Sequence, residues 1–430
     1  MPVSDSVIAW TPQGAVTRSR FMEEAARIAT QLPHDGYVYN FCSDRYEFAL
    51  GLVAAWMGGI PTLLPSDQGR GQLVELNRTY PKLHQIGSDQ LQSYRRHLSD
   101  RTAHFAGFDQ NLEQSIVIPF TSGTTGDPEP HPKSLSSLMG SAALINRQLG
   151  GVRGIRMVAT VPPQHMYGLE LSILLPLFEG AILDWRRPFF PIDILSALRE
   201  GPGPVALVTT PLHLKALLSL PDQSFPNVSC IVSATAPLPL ELAHAAEDRF
   251  SAPLHEVYGC TELGSIAGRR PVLSEAWNWY SGVQWTAESE GYRVKAAHVI
   301  SPARLSDQLE MLPDGTFLLK GRNADIVNIA GKRASIRALE RAALEIQGVR
   351  DVAFIQGDDG EGRVGRLAAL VVLDPKVSLA SVKAALRRDL DPAFVPRTLI
   401  EVDSLPRNAL GKLPRAGVLA LLEKLTESSS

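Results

Sequence analysis

Short apolar runs alternate with helix-like segments through the first 280 residues of the chain. The runs fall at residues 38–42, 115–120, 156–162, 205–210, 230–235 and 254–259. Most of them are separated by segments such as "PIDILSALRE", "PLHLKALLSL" and "LELAHAAEDRF". Buried strands that alternate with helices predict largely parallel sheets, because parallel strands need long crossover connections. The sequence therefore predicts an α/β fold for this part of the chain.

The pattern changes after residue 280. Strands and turns come first, with "PDG" as a tight connection, and a compact α+β pattern follows "GRNAD" at 321–325. Its predicted elements are a helix at 335–346, strands at 349–356 and 366–374, a helix at 378–390 and a strand at 397–406. Because 430 residues exceed what one ordinary core holds, we predict an N-terminal domain at 1–321 and a C-terminal domain at 322–430. We expect the end, 426–430, to be frayed.

Composition narrows the class of protein. A hydrophobic content of 44%, a charged content of 20% and a net charge of −3 are typical of a globular protein without affinity for nucleic acid or anionic lipid. Cys42, Cys230 and Cys260 are few and widely spaced, which favours a reducing compartment. The apolar stretch 48–65 contains glycine and proline and is short for a bilayer span, so we expect a buried helix followed by a buried strand. These features predict a cytoplasmic protein with no membrane partner.

A loop rich in glycine and hydroxyl groups, "PFTSGTTGDPEPHPKS", follows the apolar run "SIVI". Glycines allow phosphate oxygens to approach the backbone closely, and hydroxyls donate to them, although a plain polar turn has the same composition. The loop lacks the Gly-Lys-Ser/Thr ending of a P-loop, which disfavours a kinase or GTPase of that type. Its candidate phosphate-binding residues are Thr121, Ser122, Gly123, Thr124, Thr125 and Gly126.

Further motifs follow this loop in order: "SATAPLP" at 233–239, "VYGCTELG" at 257–264, the stretch 305–340, and "LPRNALGKLPR" at 405–415. Together with the entry segment "NFCSDRYEFALGLVAAWMGGIPTLLP", they resemble the core motifs of the adenylate-forming superfamily. That superfamily contains acyl- and aryl-CoA synthetases, adenylation domains of nonribosomal peptide synthetases, and firefly luciferase. The resemblance implies a large N-terminal domain of sheets flanked by helices and a small, mobile α+β C-terminal domain.

The resemblance also implies the reaction. A carboxylate attacks the α-phosphorus of ATP, pyrophosphate leaves, and a thiol then displaces AMP from the acyl-adenylate. The cofactors are ATP and Mg²⁺. Such chemistry needs cations and N–H donors that neutralise the developing charge. The loop at 121–126 is expected to hold the β- and γ-phosphates. Lys133 is an additional candidate, offset from the usual "GxPKG" lysine position, where this chain has Glu129.

Within "YGCTE", the resemblance implies that Tyr258 stacks on adenine, Thr261 bonds the α-phosphate and Glu262 holds Mg²⁺. A single carboxylate suits a hard cation that is also held by phosphate oxygens. A core aromatic at a strand end is the alternative for Tyr258. The opposite wall of the adenine slot is expected to contain Thr235, Ala236 and Pro237, and Gly259 lies beside it.

Other matching positions lie towards the C-terminus. Asp307 takes the place of the family's ribose-binding aspartate, and Arg322 follows at the family's spacing. At the hinge position, where the family usually has a charged residue, this chain has Ala324. Lys412 matches the family's catalytic lysine, whose ammonium bridges the substrate carboxylate and the α-phosphate.

The segment 161–181 resembles the family motif that carries a histidine beside the acyl carboxylate. His165 is that histidine here, although a histidine at a helix start can also cap or pack. The acid pocket is expected to contain His165, Tyr167, Thr235 and Gly259, and its compact, aromatic character favours an aryl acid.

The chain is short for the superfamily and is similar to stand-alone hydroxybenzoate:acyl-carrier-protein AMP-ligases of aryl-polyene and xanthomonadin-type pigment pathways. The resemblance implies 3- or 4-hydroxybenzoate as the acid. Only residues 413–430 follow Lys412, so we expect the thiol to come from a separate acyl carrier protein or from CoA. Lys332, Arg333 and Arg337 are candidates to meet either partner, or are simply solvated.

Two alternatives remain open. One is an aryl- or medium-chain acyl-CoA synthetase that uses CoA. The other is an inactive AMP-binding protein with a regulatory role. The charged residues Glu262, Asp307, Arg322 and Lys412 argue against the second, because such residues are lost early when a site decays.

Overall fold

The computed structural model describes residues 5–65, 70–96, 112–120, 129–221, 228–288, 291–305, 307–322, 326–329, 332–356, 367–408 and 413–427. The chain divides into two compact units. The first contains Met1–Thr286 and Val294–Ala303, and the second contains Ala287–Arg293 and Arg304–Ser430. The domain boundary between residues 321 and 322 stays a prediction.

The first unit is an α/β structure. Its strands are β1 (Val7–Thr11), β2 (Gly14–Thr17), β3 (Tyr37–Asn40), β4 (Thr62–Leu64), β5 (Leu83–Ile86), β6 (Ser115–Pro119), β7 (Lys133–Ser134), β8 (Arg156–Ala159), β9 (Ile182–Asp184), β10 (Val205–Thr209), β11 (Val228–Ser233), β12 (Leu254–Cys260), β13 (Gly264–Arg269) and β14 (Asn278–Trp279). Its helices are α1 (Arg18–Ala29), α2 (Arg45–Met57), α3 (Arg70–Thr79), α4 (Ser88–Arg96), α5 (Leu135–Gln148), α6 (Met166–Leu169), α7 (Pro191–Arg199), α8 (Pro211–Leu218) and α9 (Leu240–Phe250). A π-helical segment, Glu170–Glu179, continues from α6.

Two sheets organise this unit. The larger has the order β14-β13-β12-β11-β10-β8-β9-β1-β2, and the other has the order β5-β3-β4-β6-β7. In the larger sheet, each neighbouring pair from β12 to β1 is parallel. In the second sheet, each pair from β5 to β6 is parallel. The prediction of largely parallel sheets is confirmed, and so is each predicted strand in this region.

The apolar stretch at 48–65 forms most of α2 and then β4. The α2 residues from Arg45 to Trp56 are buried, and the Asp44 carboxylate caps the helix by accepting a hydrogen bond from the Glu47 amide at 2.7 Å. The prediction of a buried helix followed by a buried strand is confirmed.

Arg45, at the start of α2, is fully buried and binds main-chain oxygen atoms. Its guanidinium donates to the carbonyls of Ala159 at 2.9 Å and Val161 at 3.0 Å, and to the hydroxyl of Ser172. Burial lowers the pKa of Arg45 to about 9, and the neighbouring charge of Arg187 adds to this. Arg45 therefore fixes the segment that leaves the carboxyl end of β8.

The elements that follow are β15 (Gln284–Glu288), β16 (Gly291–Lys295), β17 (Ala303–Leu305), β18 (Asp307–Met311), β19 (Phe317–Arg322), β20 (Ile326–Ile329), β21 (Lys332–Ser335), α10 (Ile336–Leu344), β22 (Val349–Gln356), β23 (Leu367–Leu373), α11 (Leu379–Asp389), β24 (Thr398–Glu401) and α12 (Arg415–Glu427). Strands β15, β16 and β17 form one small sheet, and β22, β23 and β24 form another. The predicted α+β pattern of helix, two strands, helix and strand is confirmed.

The sheet β22-β23-β24 has an apolar cluster on each face. One contains Leu339, Val371 and Leu386, contributed by α10, β23 and α11. The other contains Leu370 of β23 and Val418 of α12. The expectation of a frayed end from residue 426 was wrong at its first two residues, because Thr426 and Glu427 belong to α12. Packing of one helix face against the sheet explains why this helix forms.

We expect Arg45→Met to lower the free energy of unfolding by about 2–4 kcal/mol, because buried oxygen atoms lose a charged donor. Urea unfolding of the wild type and the variant measures this. Arg20→Met on the exposed part of α1 is the control, and it should change stability by less than about 0.5 kcal/mol. An Arg45→Met loss as small as that of the control would contradict the role given to Arg45.

Candidate active site

His165 lies in the loop after β8, at the position that precedes α6. Its backbone is extended, with φ −88° and ψ 144°, and its side chain makes no capping hydrogen bond. A Cβ on Gly168 would lie 2.0 Å from the carbonyl oxygen of Pro162, so the loop folds tightly onto itself. Together with the contacts of Arg45, this close approach fixes the position from which the half-buried His165 extends. The alternative that His165 caps the helix is not what the structure shows.

The hydroxyl of Tyr167 is hydrogen-bonded to the larger sheet. The hydroxyl oxygen lies 3.0 Å from the Thr209 carbonyl and 2.8 Å from the Val232 carbonyl, near the carboxyl ends of β10 and β11. Burial raises the pKa of Tyr167 well above its usual value, so it remains a donor. A role in the acid pocket stays a prediction, and it would involve the ring rather than the hydroxyl.

Thr235 follows β11 with a φ of 78°. A β-branched residue in this left-handed region is strained by about 1–3 kcal/mol, and such strain is concentrated at functional sites. Thr235 and Ala236 are half-buried, and Pro237 is exposed. The strain supports the prediction that this segment forms a wall of the nucleotide slot.

The end of β12 and its turn carry the "YGCTE" residues. Tyr258 is 8% exposed, and its ring packs against Trp277 with centroids 5.6 Å apart. This packing fits the alternative of a core aromatic, and stacking on adenine stays a prediction. A Cβ on Gly259 would lie 2.1 Å from the Gly264 carbonyl oxygen, so only glycine fits where β12 and β13 meet. Thr261 and Glu262 follow in the turn and are half-buried.

Lys133 of β7 is 4% exposed and donates a hydrogen bond to the main-chain carbonyl of Glu262. Burial lowers the pKa of Lys133, against the opposing effect of Cys260, Glu170 and Glu262. The sequence suggested Lys133 as a phosphate contact. The structure shows that its ammonium fixes the turn that carries the candidate magnesium ligand.

Behind this turn lies a buried polar cluster that the sequence analysis missed. Glu170 is 1% exposed, and its carboxylate accepts hydrogen bonds from the Ser141 hydroxyl, the Ser265 hydroxyl at 2.6 Å and the Ser265 amide at 3.0 Å. Burial raises the pKa of Glu170, while these bonds and Lys133 lower it. A glutamate within the apolar run "LELSILLPLF" is the signal that points to this cluster.

His298 belongs to the same cluster. It is 3% exposed, and its ring lies against the backbone of Leu263 and Ser265. Burial, assisted by the charge of Lys133, lowers the pKa of His298 to about 4, against a weaker opposing effect of the Leu263 and Ser265 carbonyls. The imidazole is therefore neutral near pH 7.

In the second unit, Asp307 of β18 lies directly opposite Arg322 of β19. Asp307 is 9% exposed. The predicted "PDG" hairpin turn is confirmed, because the Leu312 amide donates to the Thr316 carbonyl at 2.9 Å and Gly315 has a φ of 84°. Cross-strand pairing thus places the two predicted ribose-binding residues side by side on the hairpin.

Several of the predicted site residues lie outside the part of the chain that the structure describes. They are Thr121, Ser122, Gly123, Thr124, Thr125, Gly126, Ala324 and Lys412. The side chains of Arg322, Lys332, Arg333 and Arg337 are also outside the description, although their backbones are within it. The roles given to these residues stay predictions.

Across the described part of the chain, no group of three or more His, Cys, Asp or Glu side chains is arranged to hold a metal ion. A single carboxylate such as that of Glu262 is sufficient for Mg²⁺, because this ion is commonly held by one or two carboxylates together with substrate phosphates and water. None of the described helices is long and apolar enough to cross a membrane.

The parallel sheet, the loops at its carboxyl edge and the smaller α+β unit define the class of AMP-forming acid ligases. The chain belongs to the AMP-binding enzyme family. The family model described as AMP-binding enzyme matches residues 72–288, and the one described as AMP-binding enzyme C-terminal domain matches residues 338–412. The enzyme therefore activates an acyl or aryl acid with ATP.

Similarity to individual relatives and solved structures supports this family assignment. The chain is 30% identical to a 4-coumarate–CoA ligase of Halorhodospira halophila over 352 residues, which are 79% of this chain and 84% of the relative. It is 21% identical to a 3,4-dihydroxybenzoate–[aryl-carrier protein] ligase of Bacillus anthracis over 313 residues, 70% and 73% of the two chains. The fold matches that of O-succinylbenzoate coenzyme A synthetase from Bacillus subtilis in complex with ATP and magnesium, with a TM-score of 0.81, 18% identity and 97% coverage of each chain. The predicted α/β fold with a smaller second domain is thereby confirmed.

Glu256 of β12 is linked to Tyr258 through Arg269 and Trp277. Its buried carboxylate is paired with Arg269 of β13 at 2.6 Å, and the Arg269 guanidinium lies 4.6 Å from the centre of the Trp277 ring that contacts Tyr258. Burial raises the pKa of Glu256 to about 6, although Arg269 opposes the shift.

A carboxyl group with a raised pKa in the folded state retains its proton over a range in which the unfolded chain has lost it. The contribution of Glu256 to stability therefore falls as the pH rises from about 4.5 to about 6. We expect the difference in unfolding free energy between the wild type and Glu256→Gln to fall by about 2 kcal/mol between a pH well below 4.5 and a pH well above 6. Urea unfolding at several pH values measures it. A difference that is constant with pH would show that Glu256 titrates normally.

Proposed function

We propose that this ligase adenylates an aromatic acid of the hydroxybenzoate type and transfers it to the phosphopantetheine thiol of a separate acyl carrier protein. The observation that carries the proposal is the placement of His165 after β8 and of Thr261 and Glu262 after β12. Because these strands are parallel members of one sheet, the three residues lie at the same edge. The names of the relatives, which include coumarate and dihydroxybenzoate ligases, support an aromatic acid.

In this proposal, His165 lies beside the acid carboxylate and Thr261 bonds the α-phosphate. Glu262 holds Mg²⁺, which supplies charge neutralisation to the phosphates when bound. Tyr258, Gly259 and the segment from Thr235 to Pro237 hold the adenine, and the loop at 121–126 holds the departing pyrophosphate. The contact of Lys133 with the Glu262 carbonyl keeps the turn in place, so that little reorganisation accompanies the reaction.

Asp307 and Arg322 bind the ribose hydroxyls, and their pairing across the β18–β19 hairpin supports a shared role. Lys412 supplies the ammonium that neutralises charge as the carboxylate attacks phosphorus. The proposal also keeps residues 322–430 as a mobile domain. Under this proposal the enzyme is cytoplasmic, and it takes part in the synthesis of an aryl pigment.

The acceptor has two candidates. The carrier-protein ligase among the relatives supports an acyl carrier protein, and the 4-coumarate–CoA ligase supports CoA. An aryl- or medium-chain acyl-CoA synthetase is therefore the second candidate function. An inactive AMP-binding regulator is disfavoured by the presence of Glu262, Asp307 and Lys412.

A pyrophosphate-release assay with purified enzyme, ATP and Mg²⁺ tests the proposal. The acids are benzoate, 3- and 4-hydroxybenzoate, coumarate and a series of alkanoates, each with CoA or with a carrier protein that bears phosphopantetheine. We expect release with the aryl acids, and mass spectrometry should show acylated carrier protein. Preference for alkanoates together with acyl-CoA formation would establish the second candidate. Absence of any acyl-adenylate across the series would revive the regulator.

We expect Lys412→Ala to lower the rate of ATP–pyrophosphate exchange by roughly 10²–10³-fold, because the transition state loses one preorganised charge contact. Transfer from a chemically prepared acyl-adenylate to the thiol should remain at the wild-type rate. Lys424→Ala, on the exposed face of α12, is the matched control and should keep the wild-type exchange rate. An unchanged rate of ATP–pyrophosphate exchange in Lys412→Ala would show that Lys412 is not part of the active site.

A further inference from the structure

Four large apolar side chains are exposed together beyond the carboxyl ends of β9 and β10. They are Phe189 at 52% exposure, Phe190 at 63%, Ile192 at 62% and Leu212 at 44%. The Phe189 ring contacts the rings of Phe190 and His213, with centroids 5.3 Å apart in each pair. Because His213 lies in the first turn of α8, these contacts bring the segment after β9 against the start of α8. The four residues therefore form one surface, which we call the apolar patch.

Folding alone does not explain the presence of Phe190 in this patch. Phe190 is the N-cap residue of α7, a position that favours a side chain able to accept a hydrogen bond from the helix amides. Phenylalanine has no such acceptor, and most of its ring is exposed, so it contributes neither a side-chain cap nor much to the core. A residue that breaks a local rule without a gain in packing indicates a functional surface, and so does a continuous exposed apolar patch.

Positive charge lies at the rim of the apolar patch. Arg187 is exposed, and within the described part of the chain no carboxylate pairs with its guanidinium. Lys215 lies on the exposed face of α8, whose first turn has no acidic residue to neutralise the positive end of the helix dipole. Asp193 of α7 accepts a hydrogen bond from the Phe190 amide at 3.3 Å. An apolar centre with cations at its edge is complementary to a partner surface of apolar and acidic side chains.

The apolar patch lies at the edge of the larger sheet where the acid is proposed to be activated. Helix α8 begins directly after β10, and its N-cap residue Thr210 accepts a hydrogen bond from the His213 amide at 3.4 Å. The hydroxyl of Tyr167 lies 3.0 Å from the carbonyl of Thr209, the last residue of β10. Since Tyr167 is two positions after His165, a partner that rests on the patch is close to the loop that carries His165.

We propose that the apolar patch, with Arg187 and Lys215 at its rim, is the docking surface for the acyl carrier protein. The occupant is a small protein that combines acidic and apolar side chains around its phosphopantetheine. This inference rests on the proposed function, and it names the surface by which the ligase distinguishes a carrier protein from free CoA.

A second copy of this chain fits the apolar patch less well. A two-fold symmetric contact places the same surface on both sides of the interface. The positive rim with Arg187 and Lys215 would then face an equally positive rim, and like charges across an interface are unfavourable. The charge of the rim therefore favours an acidic partner.

Docking on the patch brings the carrier's thiol to the acyl-adenylate. In the transfer, the pantetheine sulfur forms a bond to the acyl carbon, and the bond from this carbon to the phosphate oxygen breaks. AMP leaves with the electron pair, and the thiol proton passes to water. Because the patch takes no part in adenylation, changes on it should affect transfer to the carrier and spare ATP–pyrophosphate exchange.

The first experiment uses Phe190→Ser and the carrier protein that accepts the acyl group from the wild-type enzyme. We expect kcat/KM for the carrier with phosphopantetheine to fall by about 10-fold or more, and the values for CoA or free pantetheine to stay within about twofold. The melting temperature should not fall, because Ser is a favoured N-cap residue. Val74→Ser, which truncates an exposed side chain of α3, is the matched control and should keep the wild-type transfer rate.

The second experiment tests the charged rim with Arg187→Glu. Isothermal titration with the same carrier, without any acid, should show weaker binding. Added salt should weaken binding to the wild type and have little effect on binding to the variant, because the charge that attracts the carrier has been removed. Arg20→Glu, on the exposed part of α1, is the control and should bind as the wild type does.

Wild-type transfer and carrier binding by Phe190→Ser would overturn the inference. Equal losses with the carrier and with CoA would also overturn it, because they would assign the patch to the phosphopantetheine chain that both contain. A wild-type dimer that dissociates in Phe190→Ser would assign the patch to a second copy, and acceptance of CoA with no carrier accepted would exclude the proposed partner.

The two proposals can fail separately. Failure of every aromatic acid in pyrophosphate exchange would reject the proposed function, while the titration still measures docking without an acid. Adenylation of an aromatic acid together with normal docking by the patch variants would reject only the role of the patch. If Phe190→Ser does not fold, Ile192→Ser on the same surface decides the question.

Discussion

The parallel arrangement from β8 to β12 is the constraint on which the candidate site depends. Parallel strands end at the same edge of a sheet, and the chain leaves that edge through a loop each time. The loop after β8 carries His165, the loop after β11 carries Thr235, and the turn after β12 carries Glu262. Residues separated by almost a hundred positions thus reach one edge of the sheet. The order of the parallel strands determines which loops meet at this edge, and those loops supply the side chains of the candidate site.

Buried polar groups hold these loops in place. The Arg45 guanidinium binds the carbonyls that follow β8, Lys133 binds the Glu262 carbonyl, and Glu170 binds Ser265 on β13. Each is a charged side chain removed from water, which is costly unless its hydrogen bonds are satisfied. Because each of these charged side chains fixes the loop that it binds, the polar groups of that loop stay oriented for the proposed reaction. The strained backbone of Thr235 fits the same pattern, because such a conformation persists only when its surroundings impose it.

The sequence predicted the elements well and the contacts poorly, for a physical reason. Apolar periodicity is local, so strands β8, β10, β11 and β12 of the larger sheet, the buried helix α2 and the α+β pattern of the second unit were predicted. The remaining strands of the larger sheet, β1, β2, β9, β13 and β14, were not predicted. The "PDG" turn was also predicted, because its residues determine its geometry. The bond from Lys133 to Glu262 joins positions 129 residues apart, and no local pattern encodes it. The helix at Arg415–Glu427 was missed because its stability comes from packing on the sheet β22-β23-β24.

Lys133 links the turn of Glu262 to the buried polar cluster behind it. Its ammonium donates to the Glu262 carbonyl, and the charges of Glu170 and Glu262 both oppose the lowering of its pKa by burial. The Glu170 carboxylate in turn accepts hydrogen bonds from Ser141 and Ser265. Because buried hydrogen-bonded charges reinforce one another at low dielectric, the position of the turn depends on the whole cluster and not on a single bond.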